Sequence, residues 1–188
     1  MAQKIHGKVL TLTEFLQQPE TTPASEYLDG QIIQKPMPQG RHSLLQGELV
    51  PFINGAVKRQ RIARALPELR CTFGDRSVVP DIAVFRWEQL PRDKNGEIAN
   101  IFSLAPDWTI EILSPSQSQT KVTKNIVHCL KYGTQMGWLI DSHERTIFVY
   151  QPRQEMAVFD QSNDSLLMPD FMDGRALTIG ELFGWLSE

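Results

Sequence analysis

The chain has 188 residues, a length typical of one domain with a full hydrophobic core. It is 41% hydrophobic and 22% charged, which is ordinary for a globular protein, and its net charge is −3. That charge disfavours a protein that coats nucleic acid, because such binding depends on neutralising phosphates. No apolar run is long enough to cross a bilayer, and residues 1–7 lack the apolar core of an export signal. We therefore expect a single cytoplasmic domain over residues 1–188 with no membrane contact.

Two local features stand out from this composition. The two cysteines, Cys71 and Cys129, lack the spacing of a metal site, so we expect both to be reduced and packed in the interior. Residues 58–70 contain five basic residues against the single acid Glu68. This stretch is either a solvated helix end or a local basic patch, and the sequence leaves both possibilities open.

The first half of the chain predicts a short helix, a hairpin and a long helix, over residues 9–18, 25–34 and 41–61. Thr11 or Thr13 can cap the short helix. The hairpin is indicated by Asp29 and Gly30, a pair typical of a two-residue turn. The long helix has apolar residues at helical spacing, but Pro51 inside it predicts a kink or an early break.

The second half predicts several strands with one helix among them and one at the end. The strands are expected at residues 68–73, 78–85, 108–113, 137–141, 146–150, 156–159 and 165–167, and the helices at 118–132 and 177–186. The strands at 156–159 and 165–167 are expected to form a hairpin. This order predicts a mixed α/β sheet flanked by helices.

Two of the predicted strands carry one acid each inside an apolar run. Asp81 lies near the start of residues 78–85, and Glu111 lies between two isoleucines. A carboxylate in a buried strand is costly unless it is paired, hydrogen-bonded or bound to a metal. Two of them in neighbouring strands predict a divalent-cation site. Without a metal, Asp81 would be a turn or strand-start residue and Glu111 the partner of an arginine.

The helix after Glu111 carries lysines near the expected site. At helical spacing Lys121 lies on the same flank as Asn125, at the border of the buried stripe, whereas Lys124 lies closer to solvent. A lysine beside two carboxylates and a metal ion suits phosphodiester hydrolysis. The metal polarises the phosphate and activates a water, and the lysine orients that water or stabilises the developing charge.

These motifs resemble the Uma2 family of the PD-(D/E)XK nuclease superfamily. The resemblance rests on Pro80-Asp81, then Glu111-Ile112-Leu113-Ser114-Pro115-Ser116, then a helix, then Gly137-Trp138-Leu139-Ile140-Asp141. It covers most of the chain, including the early hairpin, the start of the long helix and the strand at 147–150. It implies a restriction-endonuclease-like core with additional N-terminal and C-terminal hairpins.

The resemblance also implies a metal site. Asp81 and Glu111 would bind Mg²⁺ or Mn²⁺, and the backbone carbonyl of Ile112 would complete the site. The chain departs from the superfamily pattern at the third motif position, where Leu113 replaces a lysine. In the family that lysine moves to the following helix, at the position that Asn125 occupies in this chain.

The missing lysine has two candidate replacements. Lys121, one turn from Asn125 on the same flank, is the first candidate for the catalytic lysine, and Lys124 is the second. If neither supplies the positive charge, the chain would be a relative without activity.

Further acids and histidines have more than one interpretation. Glu26 and His42 match the family pattern and would reach the site as a ligand or general base. Alternatively, Glu26 is an exposed strand residue and His42 a satisfied residue at a helix start. His128, His6 and His143 are expected at the surface. Asp107 and Asp141 lie at strand ends, and both are expected to form turns rather than to bind a metal.

The leading hypothesis is a metal-dependent nuclease that hydrolyses phosphodiester bonds of nucleic acid, either DNA or RNA with DNA favoured, and forms a homodimer. The alternative is a catalytically decayed nuclease-fold protein that binds nucleic acid or a protein partner. A third hypothesis is a metal-dependent hydrolase of a smaller phosphate ester. For the dimer, Phe148, Tyr150 and Phe159 either present an aromatic face or cover the core.

Overall fold

The computed structural model describes residues 10–115 and 117–187. The α-helices are α1 (Leu12–Leu16), α2 (Gly40–Val57), α3 (Gln119–Lys131) and α4 (Ile179–Gly184). The strands are β1 (Ser25–Leu28), β2 (Gln31–Gln34), β3 (Ala63–Pro67), β4 (Cys71–Phe73), β5 (Arg76–Val78), β6 (Ile82–Arg86), β7 (Trp108–Ile112), β8 (Met136–Asp141), β9 (Thr146–Tyr150) and β10 (Ala157–Phe159). His6, Ser116 and the predicted helix start at residue 9 lie outside the described residues.

The strands form two sheets. The larger sheet has the order β10-β9-β8-β7-β6-β3, and the smaller has the order β2-β1-β5-β4. All the neighbours are antiparallel except β7 and β8, which run parallel and are joined by α3. The prediction of a mixed α/β sheet with flanking helices is confirmed.

The larger sheet packs on both faces. On β6, Ile82 and Val84 contribute to a core with α2 and α4, whereas Ala83 and Phe85 pack with the smaller sheet and Cys129 of α3. Successive side chains of a strand point to opposite faces. The neighbours of Glu111 on β7, both isoleucines, belong to the first core. The Glu111 side chain therefore points to the second face, where the smaller sheet and α3 lie.

The local predictions for the first half are largely confirmed. Asp29 and Gly30 form the turn of the β1–β2 hairpin with φ angles of 51° and 81°, as a two-residue turn requires. Thr11 caps α1 through a capping box with Glu14. The long helix runs unbroken through Pro51 and ends at Val57, earlier than expected.

The strand β3 follows the end of α2 after a turn at residues 58–62 and was not predicted. Residues 63–67, which sequence reasoning left unassigned, form the edge of the larger sheet beside β6. The amide of Asn54 on α2 bonds both the N–H and the C=O of Ala65, each at 3.0 Å. A side chain thus supplies the hydrogen bonds that a further strand would give to this edge.

The apolar run at residues 78–85, which contains Asp81, spans parts of two strands, and the prediction of one strand is wrong. β5 ends at Val78 in the smaller sheet, and β6 begins at Ile82 in the larger one. Pro80 has no N–H to donate to a ladder. The Asp81 carbonyl accepts from Gln46 Nε2 at 2.7 Å and from the Glu68 N–H at 3.1 Å. Asp81 therefore lies at the crossing from one sheet to the other.

A C-terminal hairpin is present, but the predicted pairing of residues 156–159 with residues 165–167 is wrong. β10 pairs with β9, and the segment at 165–167 instead makes a single bridge between Ser165 and Thr178. Phe148 and Tyr150 pack against the cluster around α3, whereas Phe159 packs on the core on the other face. These three aromatic residues cover two different cores and do not form one aromatic face.

Two further findings concern composition. Cys71 and Cys129 are free thiols and are buried, as expected. None of the helices in the described part of the chain combines the length and apolarity needed to cross a bilayer.

Candidate active site

Asp81 is held by groups from three other elements. Its Oδ1 accepts a hydrogen bond at 2.6 Å from Nζ of Lys35, the residue directly after β2. Its Oδ2 accepts from the N–H of Ile112 on β7 at 2.7 Å and lies 3.1 Å from His42 Nε2 on α2. The residue is only 2% exposed. The carboxylate is therefore fixed in position and fully hydrogen-bonded despite its burial.

Lys35 connects the two strand acids. Its ammonium lies 2.6 Å from Asp81 Oδ1 and 3.7 Å from Glu111 Oε2, and it donates to the carbonyl of Val79 at 2.7 Å. The lysine side chain is 13% exposed. A single cation can thus span both carboxylates, and here that cation is an ammonium.

Glu26 is the third acid of this cluster. Its Oε1 accepts from the Val79 N–H at 2.8 Å, and its Oε2 accepts from Asn125 Nδ2 on α3 at 3.1 Å. Glu26 is buried, so the interpretation of an exposed strand residue is wrong. Glu26, Asp81 and Glu111 form what we call the carboxylate cluster.

The charges in the carboxylate cluster shift one another's pKa values. Burial alone would raise the pKa of Asp81, but the charge of Lys35 and the hydrogen bond of His42 hold it at about 2. Burial would lower the pKa of Lys35, but Glu111 and Asp81 raise it above its ordinary value. Burial raises the pKa values of Glu111 and Glu26, and the charge of Lys35 opposes that rise. At neutral pH, Lys35 is therefore an ammonium and Asp81 a carboxylate.

Asp81 is the member of the carboxylate cluster that borders a cavity. Lys35, His42 and Asp81 line a cavity of about 130 Å³, and Met37 in the loop after Lys35 stands at its mouth. Met37 is 63% exposed. A ligand bound in this cavity would lie next to Asp81 and Lys35.

Lys35 is the residue that sequence reasoning missed. The available signal was a lysine directly after the strand that pairs with Glu26, on the loop that leads to His42. Among the described residues, Asp81 and Glu111 pair with Lys35, and neither forms an ion pair with Lys121 or Lys124. Those two lysines line a different pocket, next to Asn125.

The other candidate residues lie elsewhere. Asp107 Oδ2 accepts from the Arg86 N–H, and Asp141 Oδ1 accepts from two N–H groups of the following turn, so both stabilise backbone. His143 is exposed and contacts Glu144. The expectation of a surface position for His128 is wrong, because it is buried and stacks on Phe73.

The basic stretch at 58–70 is not one continuous patch. Arg70 points away from solvent and bonds Glu20, the Ser25 carbonyl and Ser77. Arg61 lies over the ring of Trp87. The stretch thus combines an exposed helix end with Arg70, whose hydrogen bonds stabilise the folded structure.

The donor groups suit a hard divalent cation. Asp81 and Glu111 offer carboxylate oxygens, and Mg²⁺ binds through one or two carboxylates while keeping several waters. Among residues 10–115 and 117–187, no set of three or more His, Cys, Asp or Glu side chains is arranged to hold a metal ion. The Lys35 ammonium stands between the two carboxylates as a substitute cation. The residues therefore fit Mg²⁺ by donor chemistry, provided that Lys35 moves away from them.

The mixed sheet with flanking helices and the carboxylate cluster beside a lysine define a protein of the nuclease-like class. The chain belongs to the Uma2 family, described as "Putative restriction endonuclease", whose model matches residues 12–180. It is similar to a crystal structure of a "putative nuclease belonging to DUF820" from Anabaena variabilis, with 66% sequence identity and a TM-score of 0.93. That match covers 94% of this chain and 99% of the other. No curated protein matches the sequence.

Proposed function

We propose that this protein is a metal-dependent nuclease that hydrolyses phosphodiester bonds of DNA at the carboxylate cluster. The observation that carries the proposal is the position of Lys35 Nζ, 2.6 Å from Asp81 Oδ1 and 3.7 Å from Glu111 Oε2, at a cavity open to solvent. Two acids and a lysine are the set that the PD-(D/E)XK chemistry needs, and family membership supports a nucleic-acid substrate.

Asp81, Glu111 and the carbonyl of Ile112 would hold the metal ion, Mg²⁺ or Mn²⁺. When bound, such an ion polarises the phosphate and lowers the pKa of a bound water. His42 and the N–H of Ile112 keep the Asp81 carboxylate in one orientation. Glu26 fixes the Val79 backbone, two residues before Asp81, through a 2.8 Å hydrogen bond.

We assign the catalytic lysine role to Lys35 rather than to Lys121 or Lys124. Because neighbouring acids raise the pKa of Lys35, it stays protonated at neutral pH and does not act as a general base. Its chemistry is to stabilise negative charge that develops on the phosphate. Asn125, at the family's lysine position, is then free to hydrogen-bond Glu26.

The test is cleavage of a labelled DNA duplex and a labelled single strand with Mg²⁺, Mn²⁺ or EDTA. We expect cleavage by the wild type only with metal, and a loss of about 100-fold or more in Asp81→Asn and in Lys35→Gln. The exposed residues Asp75 and Lys94 provide matched controls, Asp75→Asn and Lys94→Gln, which should cleave like the wild type. Equal cleavage by wild type and Asp81→Asn would contradict the proposal.

The same experiment separates the alternatives. Binding of DNA without cleavage by any variant would favour the decayed nuclease fold, and cleavage of only a small phosphate ester would favour the third hypothesis. The homodimer stays a prediction, and sedimentation of the wild type would measure it.

A further inference from the structure

A second pocket, of about 220 Å³, opens between the β1–β2 hairpin and the first turns of α3. Lys121, Lys124 and Arg76 line it together with Asp29, and Asn125 is a buried polar residue of its wall. We call it the anion pocket. It gathers three cations and one carboxylate in a protein whose net charge is −3.

Two of these positive charges are uncompensated. Asp29 forms a bidentate ion pair with Arg76, whose Nε donates to Oδ1 at 2.9 Å and whose Nη2 donates to Oδ2 at 2.6 Å. Lys121 and Lys124 are exposed, and neither forms an ion pair with any carboxylate of residues 10–115 and 117–187. Two ammonium groups without an ion-pair partner on one pocket favour the binding of an anion there.

The anion pocket borders the carboxylate cluster. Asn125 donates from Nδ2 to Glu26, a member of that cluster, at 3.1 Å. Gln31, Ile33 and Lys35 are alternate residues along and just beyond β2, so they point to one side. The first two line the anion pocket, and Lys35 reaches Asp81. At a rise of about 3.3 Å per residue, Lys35 lies about 7 Å beyond Ile33 and about 13 Å beyond Gln31.

We infer that the anion pocket binds a backbone phosphate of the nucleic-acid strand whose scissile phosphate lies at Asp81 and Lys35. Lys121 and Lys124 supply the charge, and Arg76 with Asp29 holds the hairpin tip against α3. Each stacked nucleotide adds about 3.4 Å, so the bound phosphate lies roughly two to four nucleotides from the reacting one. This inference rests on the proposed nuclease function and gives these lysines a binding role.

The test measures the binding of a fluorescein-labelled single-stranded DNA by fluorescence anisotropy in EDTA, over a series of salt concentrations. The variant is Lys121→Gln with Lys124→Gln, which removes two charges and keeps the side-chain length. The matched control is Lys94→Gln with Lys131→Gln, two exposed lysines that do not line the pocket. Thermal unfolding of both double variants checks that they fold.

We expect the pocket variant to bind roughly tenfold more weakly at low salt. Its slope of log affinity against log salt should be smaller in magnitude by about 0.7, since the pocket holds one phosphate and each neutralised phosphate of a single strand contributes about 0.7. The control should bind like the wild type. Equal slopes for the pocket variant and the wild type would overturn the inference, as would an absence of measurable binding by the wild type.

Failure of the proposed function gives a different pattern. Asp81→Asn, which leaves Lys121 and Lys124 in place, should fail to cleave the same DNA. If no protein cleaves but the pocket variant still loses affinity and slope, the nuclease proposal fails and the phosphate site stands. If the wild type cleaves and the pocket variant binds normally, only the phosphate site is wrong.

Discussion

At the scale of single residues, the ammonium of Lys35 has two possible roles that compete. Under the proposed function it supplies positive charge to a phosphate, and it occupies the space between Asp81 and Glu111 that a divalent cation would use. Glu26, Asp81 and Glu111 share this one largely buried ammonium, since the charge of Lys35 also lowers the pKa of Glu26. An unpaired buried charge is strongly destabilising, so the cluster needs either Lys35 or a metal ion.

Replacing Lys35 by methionine should therefore separate metal binding from catalysis. We expect Lys35→Met to lose about 3 to 5 kcal/mol of unfolding free energy without metal, because the carboxylates lose their partner. Mn²⁺ should bind this variant at least about tenfold more tightly than the wild type and restore its stability. Titration calorimetry and thermal unfolding with and without Mn²⁺ measure both effects.

The control for this prediction is Lys58→Met, an exposed lysine at the end of α2, which should leave both quantities unchanged. Equal Mn²⁺ affinity in wild type and Lys35→Met would show that the ammonium does not compete with the metal.

At the scale of elements, the site depends on how closely α3 packs on the larger sheet. Gly137 on β8 lies directly under Ile126 of α3, and a Cβ at this glycine would overlap the Ile126 side chain. Ile126 is fully buried, and its neighbour Asn125 holds Glu26. The missing side chain at Gly137 therefore sets the distance between the helix and the sheet.

Gly137→Ala should push α3 away from β8 and cost about 1 to 3 kcal/mol of unfolding free energy, as overpacking does. Gly55 on α2 is the control, because it has open space around its Cβ position. Gly55→Ala should gain about 0.5 to 1 kcal/mol from helix propensity alone. Urea denaturation of both variants measures these changes, and a destabilisation shared equally by the two would contradict the packing argument.

At the scale of the whole molecule, a second core joins the two sheets and α3. Cys71 from the smaller sheet and Cys129 from α3 lie in it beside Phe85 of the larger sheet. Burial raises the pKa of the Cys71 thiol to about 12 and raises that of Cys129 further above its ordinary value. Both thiols therefore stay neutral in the folded protein at pH values where an unfolded chain, with a thiol pKa of about 8.5, ionises them.

The consequence is a loss of stability at alkaline pH. Because the folded-state pKa values are raised, the stabilising effect is complete below about pH 8.5 and declines as the pH rises towards the folded values. Above that pH, each thiol should reduce the unfolding free energy by about 1.4 kcal/mol per pH unit. The double variant Cys71→Ala, Cys129→Ala should show a correspondingly shallower decline between about pH 9 and 11, measured by urea denaturation. Parallel curves for wild type and variant would rule out this role of the thiols.

The sequence by itself determined the local features of this protein. Turn and capping signals predicted the β1–β2 hairpin at Asp29 and Gly30 and a capped helix start at Thr11 or Thr13, because such hydrogen bonds join residues close in the chain. The apolar run around Glu111 likewise marked a buried strand with an acid that needs a partner.

Only the tertiary structure decided which groups lie beside Asp81 and Glu111. Lys35 is separated by 46 residues from Asp81 and reaches it from another sheet, so no periodicity or spacing connects them. The break of the run at Asp81 and the edge strand β3 were missed for the same reason, since both depend on partners such as Gln46 and Asn54. The local pattern of apolar and polar residues specifies whether a segment is a strand or a helix. The packing of distant segments decides which charged groups lie next to one another.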